Sequence, residues 1–596
     1  MFNITKSLSF GSITKSLSFS SPTEPYTQTP KQHVDTLRRL FKGFDMMMND
    51  EFEAIRNMFH DDSPTSLLVE AGSQFFQAML GMEPGLVNSA MESLSKADEA
   101  CEHLCKQVSR HNQQIGSYPA GWDWQVCVCD IALMHAVLGF AAGSLVDSMK
   151  AAYRIRKTFL SFEKMMGVVR ETQAKKRKSG KTQTEDEKFV DEFVESGVLS
   201  GYAILTFLVS LFPPTLARIL SLLSFHGNRK ESLEILWTAS PYSNIQGAIA
   251  GLTLYAFYGM LQGFSSFAPL RFHKELKECT DLLSRIHQRY PQGTLWLAMD
   301  AKLQYMVGNI DRSLAMLESP LKAQLTQIVA SRQFEGALIH LSLRNFPRAT
   351  KEMLDLLNYS KWSNAFYYYA AGCATLQLAK DSASSKEPTT MAHVKDLMKK
   401  AEQYLLTSTQ YISQKKFMGS NLPVEVYLSR KLRKWKARAV ARNASSITEV
   451  MQSPPYVELL YIFSVNCFHH QVVSDSIRRD VLNAKCTDTD EIALRDFFLG
   501  VIARSKKDYA AAEKQYQKVV SLNKSQMQQE DRDFWVIPFA HYELAAMHWE
   551  TKGLTAKHEI VSHLKKASDA SGYDWQGRMS LMCQLADQTI KSEEST

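Results

Sequence analysis

Five potential metal ligands lie close together in the first quarter of the chain: Cys101, His103, Cys105, Cys127 and Cys129. Cysteine thiolates and imidazoles are common zinc ligands, but four-cysteine zinc sites usually place turn residues between paired ligands. Here Cys101 and Cys105 follow a helical apolar pattern, and Cys127 and Cys129 begin another apolar stretch. The pattern favours buried structural thiols, so we predict no metal site and no cofactor.

Motifs for enzymatic chemistry are also missing from the sequence. The chain contains no GxxxxGK[ST] or GxGxxG phosphate loop, no GxSxG nucleophile elbow and no HExxH zinc motif. His469 and His470 fall at a predicted helix end and not in a ligand pattern. We therefore predict no catalytic residue, no small-molecule substrate and a non-enzymatic protein.

Composition and charge exclude further classes of protein. Of the 596 residues, 45% are hydrophobic and 22% are charged, which is ordinary for a soluble globular protein. The net charge of +7 is small for this length and argues against a nucleic-acid partner, because nucleic-acid binders usually carry a dense basic stripe. The nine cysteines are scattered and odd in number, which predicts reduced thiols in the cytoplasm or nucleus.

Helical periodicity runs along almost the whole chain, so we predict an all-α fold. The expected architecture is an α-helical solenoid or bundle of stacked antiparallel helix pairs. We predict a disordered Ser/Thr-rich tail at 1–30, which contains the duplicated ITKSLSF, and an amino-terminal helical domain at 31–270 with a solvated loop at 171–189. Degenerate tetratricopeptide repeats follow at 271–480, and carboxy-terminal tetratricopeptide repeats at 481–590.

Two apolar stretches, 196–212 and 235–270, raise the question of a membrane. A membrane-spanning helix needs about 20 apolar residues. The first stretch is shorter and stops at Pro213-Pro214, and polar residues interrupt the second. Glycines at four-residue intervals also serve close helix packing in water-soluble proteins. We predict that both stretches form a buried apolar hairpin and that the protein does not insert stably into membranes.

The clearest repeat unit is LRDFFLGVIARSKKDYAAAEKQYQKVVSLN at 494–523. A tetratricopeptide repeat needs small residues where its two helices cross, and Gly500 and Ala512 meet this need, with Tyr516 four residues later. Degenerate units place Ala301 with Ser313 and Ala337 with Ala349 at the same positions.

The concave face of such repeats is built from their first helices and often binds a protein partner. In the two carboxy-terminal units this predicts a partner-binding groove formed by Phe497, Val501, Arg504, Ser505, Tyr542 and Trp549, flanked by Leu494, Phe539, Ala546 and Glu550. An alternative is that Phe497 and Tyr542 pack on the next repeat. We expect Arg504→Ala with Trp549→Ala to leave the fold intact and to remove partners.

A basic helix is predicted at 428–442. Its cations are Arg430, Lys431, Arg433, Lys434, Lys436 and Arg438. One interpretation is a surface for anionic lipid, with Trp435 as the interfacial anchor, on a peripheral membrane or lipid-droplet protein. The favoured alternative is a solvated helix that pairs with acidic neighbours.

The central block resembles the tetratricopeptide repeat protein 39 family, which includes the fungal inclusion-body clearance proteins. The match is carried by a G-x-x-x-G…S-x-x-P-P segment and a following G-x-R-x-x-x-L-x-x-L segment, and Leu205 stands where the family pattern has an aromatic residue. The matching residues are Gly197, Gly201, Ser210, Pro213, Pro214, Gly227, Arg229, Leu233 and Leu236, then Tyr290, Pro291, Gly293 and Trp296.

This resemblance implies a non-enzymatic interaction scaffold or adaptor. Its expected location is the cytoplasm, with the nucleus and the surfaces of organelles or lipid droplets as further compartments. Family roles include clearance of misfolded protein, lipid or sterol homeostasis and cilium assembly, and the residues do not distinguish among them.

Overall fold

The computed structural model describes residues 27–594 except 82, 142–144, 180–181, 212–226, 269–271, 385–389, 414–415, 418–419 and 530–531. Nearly all regular structure in these ranges is helical. Their strand content is limited to Lys416–Phe417 and Ser420–Asn421, which pair antiparallel. The predicted all-α fold is confirmed. Both ITKSLSF copies and the Pro213-Pro214 corner lie outside the described residues.

The amino-terminal helices surround one apolar core, from Val34 to Ile328. They are α1 (Pro30–Met48), α2 (Phe52–Met58), α3 (Pro64–Gly81), α4 (Pro84–His111), α5 (Trp122–Ala141), α6 (Leu145–Ser179), α7 (Glu185–Ser210), α8 (Arg229–Ala239), α9 (Ile245–Tyr255), α10 (Phe272–Arg289) and α11 (Thr294–Met306). Helix α9 continues as a π-helix, Ala256–Leu261, and a 3-10 turn, Gln262–Phe264.

The remaining helices surround a second core, from Phe267 to Ile590. They are α12 (Ile310–Leu317), α13 (Thr326–Ser342), α14 (Phe346–Asp355), α15 (Asn364–Ser384), α16 (Met391–Ser408), α17 (Pro423–Ala441), α18 (Pro455–Phe463), α19 (Gln471–Asn483), α20 (Thr489–Ser505), α21 (Tyr509–Val520), α22 (Lys524–Met527), α23 (Val536–Lys552), α24 (Lys557–Ser568) and α25 (Gln576–Glu594). Consecutive helices pack in pairs, as in α15 with α16 and α20 with α21. The four predicted domain boundaries stay predictions.

The solvated loop predicted at 171–189 is mostly helical, so that prediction is wrong for most of its length. Helix α6 runs to Ser179, and α7 begins at Glu185 after the capping residue Thr184. The prediction relied on the missing apolar stripe, but Lys, Arg, Gln and Ala are good helix formers without one. Lys176 also anchors this part of α6, because its Nζ lies 2.7 Å from carboxylates of both Asp191 and Glu195.

Helix α7 is the described helix that is long and apolar enough to cross a membrane. Its best 18-residue window has a mean hydropathy of 1.5, but 83% of that window is buried inside the protein. Helices α5, α6, α8 and α9 all pack against it. This environment is that of a core helix, which supports the predicted burial of the first apolar stretch.

The contact between α20 and α21 tests whether Gly500 occupies the small-residue position that the repeat pattern assigns to it. A Cβ atom on Gly500 would lie 2.6 Å from Cε1 of Tyr516, a side chain that is itself fully buried. Gly500→Leu should therefore overpack this crossing and lower the free energy of unfolding by about 1–3 kcal/mol. Chemical denaturation measures the change. Gly577→Leu is the control, because no atom lies within 4 Å of its Cβ position, and equal stability of the two variants would contradict this packing.

Candidate interaction groove of the carboxy-terminal repeats

The chain itself fills the predicted partner groove. Residues 265–268, called here the inserted segment, leave the 3-10 turn after α9 and lie against α20 and α23. The Ser265 hydroxyl hydrogen-bonds the Tyr542 hydroxyl at 2.7 Å, and Trp549 Nε1 donates to the Ala268 carbonyl at 2.9 Å. The Phe267 ring is fully buried and stacks on Trp549 with ring centroids 5.1 Å apart.

A buried carboxylate, Glu543, organises the floor of the groove. Its Oε1 accepts hydrogen bonds from the hydroxyls of Ser266 at 2.6 Å and Tyr461 at 2.7 Å. Arg504 donates to its Oε2 at 2.7 Å and to the Ser266 carbonyl at 2.7 Å. Burial disfavours the charge on Arg504, but Glu543, Tyr516 and Glu550 together outweigh it and raise the arginine pKa above its usual range. The inserted segment is therefore held by a charged, fully paired network.

These contacts correct the predicted partner-binding groove. Phe497, Val501, Tyr542 and Trp549 are all 5% exposed or less, so in this structure they are closed to a partner. Phe497 packs on Trp535, directly before α23, with ring centroids 5.6 Å apart, as the alternative of packing on the next repeat predicted for it, whereas Tyr542 hydrogen-bonds to the inserted segment. Arg504 and Trp549 are bound to the inserted segment, so we now expect their joint replacement by alanine to destabilise the fold. Ser505 caps its own helix through the Ile502 carbonyl.

The predicted basic surface on α17 is largely a buried ion cluster. Lys434 is completely buried, and its Nζ lies 2.5 Å from Asp490 and 2.7 Å from Glu491. Lys431 pairs with Glu458 at 2.8 Å. The remaining close pairs are Arg430 with Asp533 at 2.8 Å and with Asp574 at 2.6 Å, Lys431 with Asp533 at 3.0 Å, Lys434 with Asp533, and Arg438 with Asp490 at 2.7 Å.

Four of the six predicted surface cations thus lie in or beside the core, and Arg433 and Lys436 are exposed. Trp435 cannot act as an interfacial anchor, because it is 1% exposed and stacks on Tyr369. The sequence could not show this, because the acidic partners lie on α18, on α20 and in the segments before α23 and α25. The alternative of acidic pairing is correct, although the four paired cations lie in or beside the core and are not solvated.

The same cluster contains the closest grouping of metal-type ligands among the described residues. Carboxylate oxygens of Asp490, Glu491 and Asp533 lie within 4.8 Å of one another. The Lys434 ammonium occupies the space between them and supplies the positive charge. The Cys101 and Cys129 thiols of the earlier candidate set are buried, and burial raises the pKa of each to about 12, so both thiols stay protonated at neutral pH.

Two histidines make the carboxy-terminal repeats sensitive to acid. The Nδ1 atoms of His541 and His563 lie 3.0 Å apart. Burial lowers the pKa of His541 to about 3 and that of His563 to about 4, from an ordinary value of 6.5. The folded protein keeps both rings neutral where the unfolded chain protonates them. Stability is therefore lost as the pH falls from about 6.5 towards 4.

We expect the free energy of unfolding to fall in this window by up to about 1.4 kcal/mol per pH unit for each ring. Urea denaturation at several pH values measures the slope. His541→Gln with His563→Gln should reduce the slope, whereas His393→Gln, on an exposed side chain, should not. A smaller slope should remain, because burial also lowers the pKa values of His135 and His469 to about 4. An unchanged slope in the double variant would contradict this assignment.

Stacked helix pairs with small residues at their crossings define a tetratricopeptide-type scaffold. The model of the Iml2/Tetratricopeptide repeat protein 39 family matches residues 41–506, and the chain belongs to that family. An uncharacterized protein of Schizosaccharomyces pombe is 43% identical, over 94% of this chain and 95% of its own length. The inclusion body clearance protein iml2 of Aspergillus niger is 23% identical, over 95% of this chain and 97% of its own length. The inclusion body clearance protein IML2 of S. pombe is also 23% identical, over 95% of this chain and 99% of its own length.

Proposed function

We propose that this protein is a cytoplasmic scaffold that takes part in clearing inclusions of misfolded protein. The proposal is supported by family membership and by the relatives named for inclusion body clearance, which match over nearly the full length of the chain. The buried basic helix argues against the alternative of anionic-lipid binding through α17, because four of its cations already have carboxylate partners.

We further propose that the partner binds outside the filled groove, in an outer cleft between α12, α13 and α14. This cleft has a volume of about 800 Å3 and combines apolar and charged walls. Its lining includes Leu317, Lys322, Arg332, Lys351, Glu352 and Tyr359. Lys322, Lys351 and Tyr359 are exposed. The observation that carries the proposal is this open cleft, in a protein whose concave groove is closed by the chain itself.

The chemistry of the cleft indicates the kind of segment that it would bind. Arg332 is fully engaged with its own chain, since it donates to the carbonyls of Leu317, Ser319 and Leu321. Lys322 and Lys351 are exposed on the open walls of the cleft and carry positive charge. A partner segment with acidic side chains would pair with these two lysines, while its apolar side chains contact Leu317 and Tyr359.

Clearance can be tested in cells that lack the gene. A fluorescent misfolded reporter is expressed and then shut off, and the half-life of its inclusions is measured by microscopy. Loss of the gene should lengthen this half-life, and the wild-type chain should restore it. An unchanged half-life in the deletion cells would reject the clearance role.

The cleft is tested in the same assay with exposed residues. Lys322→Glu, Lys351→Glu and Tyr359→Ala together should fail to restore clearance. The matched control on α16 is Lys395→Glu, Lys399→Glu and Met391→Ala, which changes the same charges on another exposed face. Full restoration by the folded cleft variant would remove the partner from this cleft and leave the clearance role itself standing.

A further inference from the structure

A second, very different cavity lies in the amino-terminal core. It encloses about 210 Å3 between α1, α3, α5, α7 and α9. Apolar side chains form most of its wall, among them Phe44, Met47, Leu68, Phe76, Val137 and Ile249. Protein interiors are otherwise close-packed, with few voids larger than a water molecule, so a space of this size needs an explanation.

The cavity has one polar corner, formed by Asp130 and Gln246. Gln246 Nε2 donates to Asp130 Oδ2 at 2.7 Å. No ion pair joins Asp130 to any cation of the described residues, and burial raises its pKa to about 7. A carboxyl group in such a place is costly when charged. Near neutral pH it can carry a proton and so can both donate and accept a hydrogen bond.

The composition of the walls defines the ligand that would fit. A cavity of about 150 Å3 with Leu, Ile and Phe walls admits benzene, which suggests room here for about eight to ten non-hydrogen atoms. Apolar pockets bind apolar molecules, and a few polar groups in them fix the orientation. A charged ligand is disfavoured, because no cation faces the polar corner among the described residues.

We propose that this cavity binds a small, uncharged, apolar molecule with one hydroxyl or carbonyl group, which hydrogen-bonds to Asp130 and Gln246. The flexible side chains of Met47, Met48 and Met134 adapt the wall to the shape of the molecule. The half-buried side chains of Phe75, Phe76 and Ile249 mark the side from which it enters. This site is independent of the outer cleft and of the filled groove.

The probe for the test is 1-octanol, which has one hydroxyl group and fits the size of the cavity. Titration into the purified full-length protein, followed by calorimetry and by the melting temperature, should show saturable binding at a single site. Octane, without the hydroxyl, should bind at least about tenfold more weakly. Octanoate, which carries a charge, should not compete. Absence of saturable octanol binding would overturn the proposal.

Two variants locate the site. Val137→Phe fills the cavity and should abolish octanol binding, whereas Val440→Phe, on a side chain that is 79% exposed, should not. Asp130→Leu removes the polar corner and should bind octanol and octane equally. Circular dichroism and the melting transition establish folding. Should Val137→Phe fail to fold, an octanol analogue with a photoreactive diazirine decides the location on the unaltered chain, and labelling outside α1, α3, α5, α7 and α9 would overturn the proposal.

Discussion

Asp533→Asn should destabilise the protein by about 3–5 kcal/mol, because it removes one partner from a buried ion cluster. Asp533 is completely buried and contacts Arg430 at 2.8 Å, Lys431 at 3.0 Å and Lys434. Asparagine preserves the shape but leaves these cations with less compensating charge. Chemical denaturation followed by circular dichroism measures the loss.

The control for this change is Asp587→Asn on α25. Asp587 pairs with Lys591 one helical turn away, and its side chain is 54% exposed, so the change should stay within about 0.5 kcal/mol. Burial opposes the charge on Asp533, but the three cations hold its pKa well below the ordinary value of 3.8. The contribution of Asp533 to stability is therefore fully present above pH 3.8, the ordinary pKa of an aspartate. It is lost as the pH falls through the lower pKa that Asp533 has in the folded protein. Equal effects of the two variants would contradict the cluster.

Phe267→Ala should cost about 3–5 kcal/mol, the usual range for removing a buried aromatic side chain. The ring belongs to the second core and stacks on Trp549, although it lies in the chain between α9 and α10, which both belong to the amino-terminal core. Its removal should weaken the connection between the two cores as well as the repeats. We expect calorimetry to show one unfolding transition for the wild type and two for the variant.

The control for Phe267→Ala is Tyr359→Ala, an aromatic side chain that is 44% exposed. Tyr359→Ala should leave a single unfolding transition and change its temperature little. A single transition in Phe267→Ala, at the wild-type temperature, would show that the inserted segment does not join the cores.

The sequence predicted those features of the fold that depend on the pattern of neighbouring residues. Three- and four-residue periodicity identified the helices, and the small residues Gly500 and Ala512 gave the correct register of one repeat. The sequence could not predict contacts between distant segments. Nothing near Ser265 or Phe267 indicates Tyr542 and Trp549 as partners, and nothing near Lys434 indicates Asp533. The residues chosen for the groove and the basic surface had suitable chemistry, but both sets were already satisfied within the chain.

The inserted segment also has a consequence for how the chain is made. Ala268 and Trp549 are 281 residues apart, and a ribosome adds about 5–20 residues per second. For about 15–60 seconds, Phe267 has therefore left the exit tunnel while the helix that will cover it does not yet exist. During this interval the newly made part of the chain carries an unshielded aromatic residue between α9 and α10. We therefore expect a nascent chain of this protein to need chaperone protection until its final repeats have been translated.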